Sequence, residues 1–133
     1  MKLTYKQIVT TYNSLSELSE MPMKYSSALR ISRNISEFER HVVEFEEERR
    51  RLFDKYLETD DSGMYIPVLD EQGQPTGAYR IKQDCSNDFK TDIATLESFE
   101  VDVTIYNLTP EDFEDVKLTP KQMIGLASII DDE

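Results

Sequence analysis

One histidine and one cysteine set narrow limits on the chemistry open to this chain of 133 residues. A zinc site built from His and Cys ligands needs three or four such groups, and a thiol nucleophile needs a base held by an orienting partner. His41 and Cys85 stand alone in their kinds. His41 falls in mid-helix beside an apolar seam, where a partly buried structural imidazole is expected. Cys85 precedes a helix N-terminus, a place that lowers a thiol pKa, and is expected to be a small filler residue. The four glycines are scattered and form no phosphate-cradling loop. What remains is carboxylate chemistry: Glu100 and Asp102 on one strand face, or Asp112 and Asp115 on one helix face, are spaced to share Mg²⁺ or Ca²⁺. Neither pair lies in an EF-hand loop, and with 27 acidic residues such pairs arise from composition alone. No cofactor is expected, and a carboxylate-metal enzyme ranks third among three readings.

The charge itself says more. The net charge is −12. Residues 1–59 carry 10 acidic and 10 basic side chains, whereas residues 60–133 carry 17 acidic and 5 basic ones. Such a surface repels nucleic acid and anionic membrane, both of which need Lys and Arg, and suits a protein with a basic face. The candidate partner-binding residues are therefore Glu111, Asp112, Glu114 and Asp115, with Glu100 and Asp102 beside them. Plain solubility is the competing explanation. The seven tyrosines are expected in cores or interfaces, since they lack the basic neighbours of a base-stacking platform.

These residues are positioned by a long helix expected over residues 23–58. Ala28, Ile35, Val42, Arg49 and Tyr56 fall at one heptad position and Ile31, Phe38, Phe45 and Leu52 at the other, a coiled-coil spacing broken only by Arg49. Phe38, Phe45, Arg49 and Leu52 are thus candidates for self-association, and a homodimer is one form the chain could take. The run Glu46 to Arg51 reads as a solvated face. Thr4 and Gln7 form a capping box for a first helix over 5–19, and the turn at Pro22 makes the two helices antiparallel. After turn formers at 59–63, two short β-type runs (64–69 and 78–82) flank a long polar loop. A short helix follows, capped by Ser86 or Asn87, and then an alternating strand over 99–105. A three-stranded sheet is the expected product. Thr109-Pro110 and Thr119-Pro120 each start a short C-terminal helix. The sum is a mostly helical α+β fold: a long antiparallel helical hairpin, a small antiparallel sheet and short C-terminal helices. It is expected to be one domain, with the hairpin in 1–59 and the acidic α/β part in 60–133. No run of about 20 apolar residues is present, no secretory signal is evident, and a lone cysteine suits a reducing compartment.

Three blocks carry a resemblance. Residues 1–8 (MKLTYKQI), 45–56 (FEEERRRLFDKY) and 118–126 (LTPKQMIGL) are similar to a family of small proteins from phages and prophages of Gram-positive bacteria, domain of unknown function 1617. The resemblance implies a phage origin and no known activity, and with no secretory signal the chain is expected to stay in the host cytoplasm. Joined to the charge layout, it leads to an expected accessory protein, not an enzyme, that acts by binding a host or phage protein with a basic surface. Inhibition of a host nucleic-acid-handling or defence protein fits that description. The alternative is a structural or assembly factor that self-associates through the long helix.

Overall fold

The computed structural model describes residues 1–131. In chain order it has β1 (Lys2–Thr4), α1 (Tyr5–Leu18), α2 (Tyr25–Tyr56), β2 (Pro67–Leu69), β3 (Pro75–Tyr79), α3 (Ser86–Ser98), β4 (Glu100–Asp102), a 3₁₀ turn (Pro110–Phe113) and α4 (Pro120–Leu126). The fold is α+β and mostly helical, as the periodicity predicts. Contacts divide the chain into two compact units, Met1–Phe45 with Glu97–Glu133, and Glu46–Leu96. This partition differs from a division at residue 59, because β4 returns to pair with β1.

In the first unit the capping boxes form as the sequence demands. Thr4 Oγ1 accepts from the Gln7 N–H at 3.1 Å, and Gln7 Oε1 accepts from the Thr4 N–H at 2.9 Å. Thr119 and Gln122 repeat this at the start of α4. α1 buries Tyr5, Ile8, Leu15 and Leu18, and residues 25–45 of α2 bury Ile31, Phe38 and Phe45. Tyr5 packs on Phe45 with ring centroids 5.5 Å apart, which sets the start of α1 against a distant turn of α2 and makes the two antiparallel. Leu3, Val103, Leu108, Leu126 and Ile129 complete this core.

The expected three-stranded sheet is replaced by two separate two-stranded sheets, β1–β4 and β2–β3. β1, absent from the sequence reading, pairs antiparallel with β4 in the register Lys2↔Asp102, Leu3↔Val101, Thr4↔Glu100. The predicted strand over 99–105 is cut to three residues for a physical reason. Just past β4 the Val103 N–H still donates to the Met1 carbonyl at 2.8 Å, but farther on the partner is an α2 side chain: Asn34 Nδ2 donates to the Tyr106 carbonyl at 2.8 Å, and Asn34 Oδ1 accepts from the Tyr106 N–H at 2.9 Å. An amide side chain there does the work of a neighbouring strand.

α1 and α4 approach closely, and Gly125 permits it. A Cβ at this position would overlap the Ser14 hydroxyl and lie 3.0 Å from Ser14 Cβ. Alanine would ordinarily favour a helix by about 1 kcal/mol over glycine. Here Gly125→Ala is expected to destabilise by about 1–3 kcal/mol through overpacking. Adding Ser14→Gly should recover most of the packing loss in a urea-unfolding double-mutant cycle.

The second unit is built on two copies of one turn. Asp60 Oδ1 accepts from the N–H groups of Ser62 and Met64, and Gly63 follows at φ +84. Asp70 Oδ1 accepts in the same way from Gln72 and Gln74, and Gly73 follows at φ +78. Each is an Asp-x-x-Gly turn that reverses the chain, with glycine taking the left-handed position. The loop expected over 70–77 is therefore a tight turn at 70–73 followed directly by β3. Glu58, Ile66 and Arg80 close a ring of main-chain bonds: Glu58 donates to Arg80 at 2.9 Å, Arg80 to Ile66 at 2.9 Å, and Ile66 to Glu58 at 3.2 Å. Tyr56 and Leu57 are the buried residues here, beside a half-buried ring cluster of Phe53, Tyr65 and Phe89.

Candidate functional site

Polar residues buried on α2 are the least expected from the sequence and the most informative. The apolar count places Ala28, Ile35 and Val42 in the seam, yet Ala28 is exposed and Ile35 and Val42 are only half-buried. The buried positions one residue earlier hold Ser27, Asn34 and His41, at 0%, 0% and 6% exposure. These three recur every seven residues, interleaved with Ile31, Phe38 and Phe45. The seam is real, but one of its two rows is shifted by a residue and is polar.

Ser27 leads to Asp112. The Ser27 hydroxyl donates to Asp112 Oδ1 at 2.6 Å, the Thr109 N–H donates to Asp112 Oδ2 at 2.8 Å, and Arg30 reaches Oδ2 at 3.4 Å. Burial pushes the Asp112 carboxyl pKa up, but the Ser27 hydroxyl, the Thr109 amide and the Arg30 charge outweigh it and hold the group below the usual carboxylate value. The sequence reading puts Asp112 on a partner-binding surface. The structure corrects that: it is 5% exposed, both oxygens are engaged, and it ties the 3₁₀ turn to α2. Glu111, Glu114 and Asp115 on and after that turn are exposed. Glu100 and Asp102 are exposed on β4, where Asp102 faces Lys2 across the pair. Asp112 and Asp115, considered together as a metal pair, differ in this way: one is internal and the other external. Among the described residues no group of three or more His, Cys, Asp or Glu side chains is placed to hold a metal ion.

His41, expected to be partly buried, is more fully enclosed, between two carboxylates of its own helix. Nδ1 lies 3.5 Å from Glu44 and Nε2 3.8 Å from Glu37, and Arg40 reaches Nε2 at 3.4 Å. Nδ1 has no partner in hydrogen-bond geometry. Cys85 is half-buried, and its carbonyl accepts from the Phe89 N–H at 2.9 Å, so α3 is entered one residue before the expected cap.

The self-association candidates divide by unit. Phe38 at 0% and Phe45 at 7% exposure lie within the core of the first unit, which corrects their expected place on an open seam. Arg49 and Leu52 are half-buried in the second, where Arg49 pairs with Glu46 at 2.5 Å and lies over the Phe53 ring.

Charge is also redistributed by the fold. Counted by unit, the first holds 15 acidic and 8 basic residues and the second 12 and 7, so both are acidic, at −7 and −5. The confinement of excess charge to residues 60–133 is a property of the sequence order and not of one structural unit. No helix among the described residues is long and apolar enough to cross a membrane. No protein-family model matches the chain, and searches of curated proteins and of solved structures find no match either.

The sequence reading misses Ser27, Arg30 and Asn34. A signal is present in the second heptad register, 27/34/41, whose members are all hydrogen-bonding residues. Counting apolar residues alone passes over it.

Proposed function

We propose that this chain is a phage accessory protein, not an enzyme, that works by binding a protein partner with a basic surface, in the host cytoplasm. The observation that carries the reading is the acid excess of both units. Two compact bodies that each hold uncompensated carboxylates present a field that attracts a cationic protein face and repels nucleic acid. Glu111, Glu114, Asp115, Glu100 and Asp102 contribute exposed carboxylates in the first unit. A host protein that handles nucleic acid, including a defence effector, has the basic surface this field would occupy. The phage assignment rests on the similarity of residues 1–8, 45–56 and 118–126 to the family named above. Self-association through Phe38 and Phe45 is not carried forward, because both rings are internal.

The test is a pull-down of the tagged chain from a lysate of a Gram-positive host at low and high salt. A nucleic-acid-handling protein retained at low salt and released at high salt is the expected result, since screening weakens exposed charge pairs. Capture that ignores salt, or no specific capture, overturns the reading.

A further inference from the structure

We propose that the β2–β3 hairpin is the apolar anchor of the protein's docking surface, and that its occupant is an extended partner segment in which apolar and basic residues alternate. The inference deepens the proposed function and rests on it for the partner's positive charge.

The hairpin is unusual in how little of it is covered. Every residue of β2 and β3 is exposed. Pro67 pairs with Tyr79 and Leu69 with Pro75, with a register irregularity between the two pairs. Leu69 is 54% exposed, Tyr79 42%, Val68 38% and the neighbouring Met64 65%. A two-stranded hairpin without a covered face is at best marginally stable in water. This one is tied at its base by the ring of bonds through Glu58, Ile66 and Arg80 and by Tyr65 and Tyr79 packing against Phe53. Apolar surface gathered on one exposed hairpin marks a binding site more than apolar residues scattered singly.

Charge says what would cover it. The run 64–69 has an Asp-x-x-Gly turn at each end, contributing Asp60 and Asp61 on one side and Asp70 and Glu71 on the other. Six extended residues at about 3.3 Å each separate the two turns by roughly 20 Å. Asp61 and Glu71 are exposed and have no ion-pair partner among the described residues. The Ser62 hydroxyl and the Met64 amide hold the Asp60 carboxyl below the usual carboxylate value. An extended segment with apolar side chains over Leu69 and Tyr79 and cations toward the turns matches this layout. A second copy of the chain does not, since it would set like charges together.

The test uses two synthetic peptides of equal length and charge, one alternating leucine with lysine and the other serine with lysine. Binding is followed by tyrosine fluorescence and by amide shift mapping on the full chain. The leucine peptide is expected to bind at least about tenfold more tightly and to perturb amides in 64–79. Leu69→Asp should abolish that preference. Asp61→Asn with Glu71→Gln should weaken binding and flatten its salt dependence. Equal, salt-sensitive binding of both peptides, or an unchanged preference in Leu69→Asp, overturns the hairpin as anchor while leaving the acidic-surface reading intact. Binding of neither peptide overturns the anchor, and a failed host pull-down beside it overturns the wider reading as well.

Discussion

Phe38→Ala is expected to lower stability by about 3–5 kcal/mol, the range for truncating a fully enclosed aromatic ring. Phe38 is 0% exposed and sits between Asn34 and His41 on the buried stripe of α2. The loss arises from apolar area returned to water together with a cavity its neighbours cannot fill. The denaturant midpoint should fall with little change in slope, because the folded and unfolded surfaces are nearly those of the wild type. Hydrogen exchange should locate the loss in residues 1–45 and 97–131, whose shared core contains this ring. Light scattering gives the contrasting check. A mass unchanged by the substitution confirms an internal ring, whereas dissociation of an assembly without loss of stability would place Phe38 at an interface and contradict the burial described above.

Asp112→Ala should cost on the order of 3 kcal/mol, since it strips the acceptor from the buried Ser27 hydroxyl and the Thr109 amide and leaves Arg30 without its counter-charge. The milder Asp112→Asn exposes the electrostatic part through its pH dependence. The folded-state pKa of Asp112 lies below its unfolded value. The unfolded chain therefore takes up this proton first as pH falls, and the stabilisation from the ionised form is complete above the usual carboxylate range. It is lost as pH drops through the folded-state value. The stability difference between wild type and Asp112→Asn should be greatest near neutrality and shrink in acid. A difference that stays constant across that range would show that shape, and not charge, makes Asp112 matter.

Those two residues also show how far sequence reading reaches. Phe38, with Ile31 and Phe45, is legible as the apolar row of a long helix because a 3.6-residue period needs no knowledge of the partner. Its companion row is misplaced by one residue because burial there is decided by distant backbone. Asn34 is internal since Tyr106 offers it a donor and an acceptor, and Ser27 is internal since Asp112 offers its hydroxyl an acceptor. Nothing local announces such a match across about seventy to eighty-five positions of chain. Asp112 reads as surface for the same reason, as one carboxylate among four in five residues. The caps at Thr4 and Thr119 are legible because both members of each box are close in sequence. The pairing of β1 with β4 is not, because Lys2 and Asp102 are far apart along the chain. The repeated Asp-x-x-Gly turns lie within reach of sequence reading, at 60–63 and 70–73, for a search that looks for equal turns at equal spacing.

The return of β4 to β1 also imposes an order on events during synthesis. The second unit, Glu46–Leu96, is one uninterrupted stretch, so all of its residues leave the ribosome before the first unit has its second segment. β1 and α1 are made before the inserted unit, and their strand partner and α4 after it. Until then Leu3, Ile8 and Leu15 lack part of the cover they have in the finished core. The segment before the inserted unit is thus completed only after that unit has been made, and the interval of exposure for its apolar face is set by the time needed to translate the inserted unit.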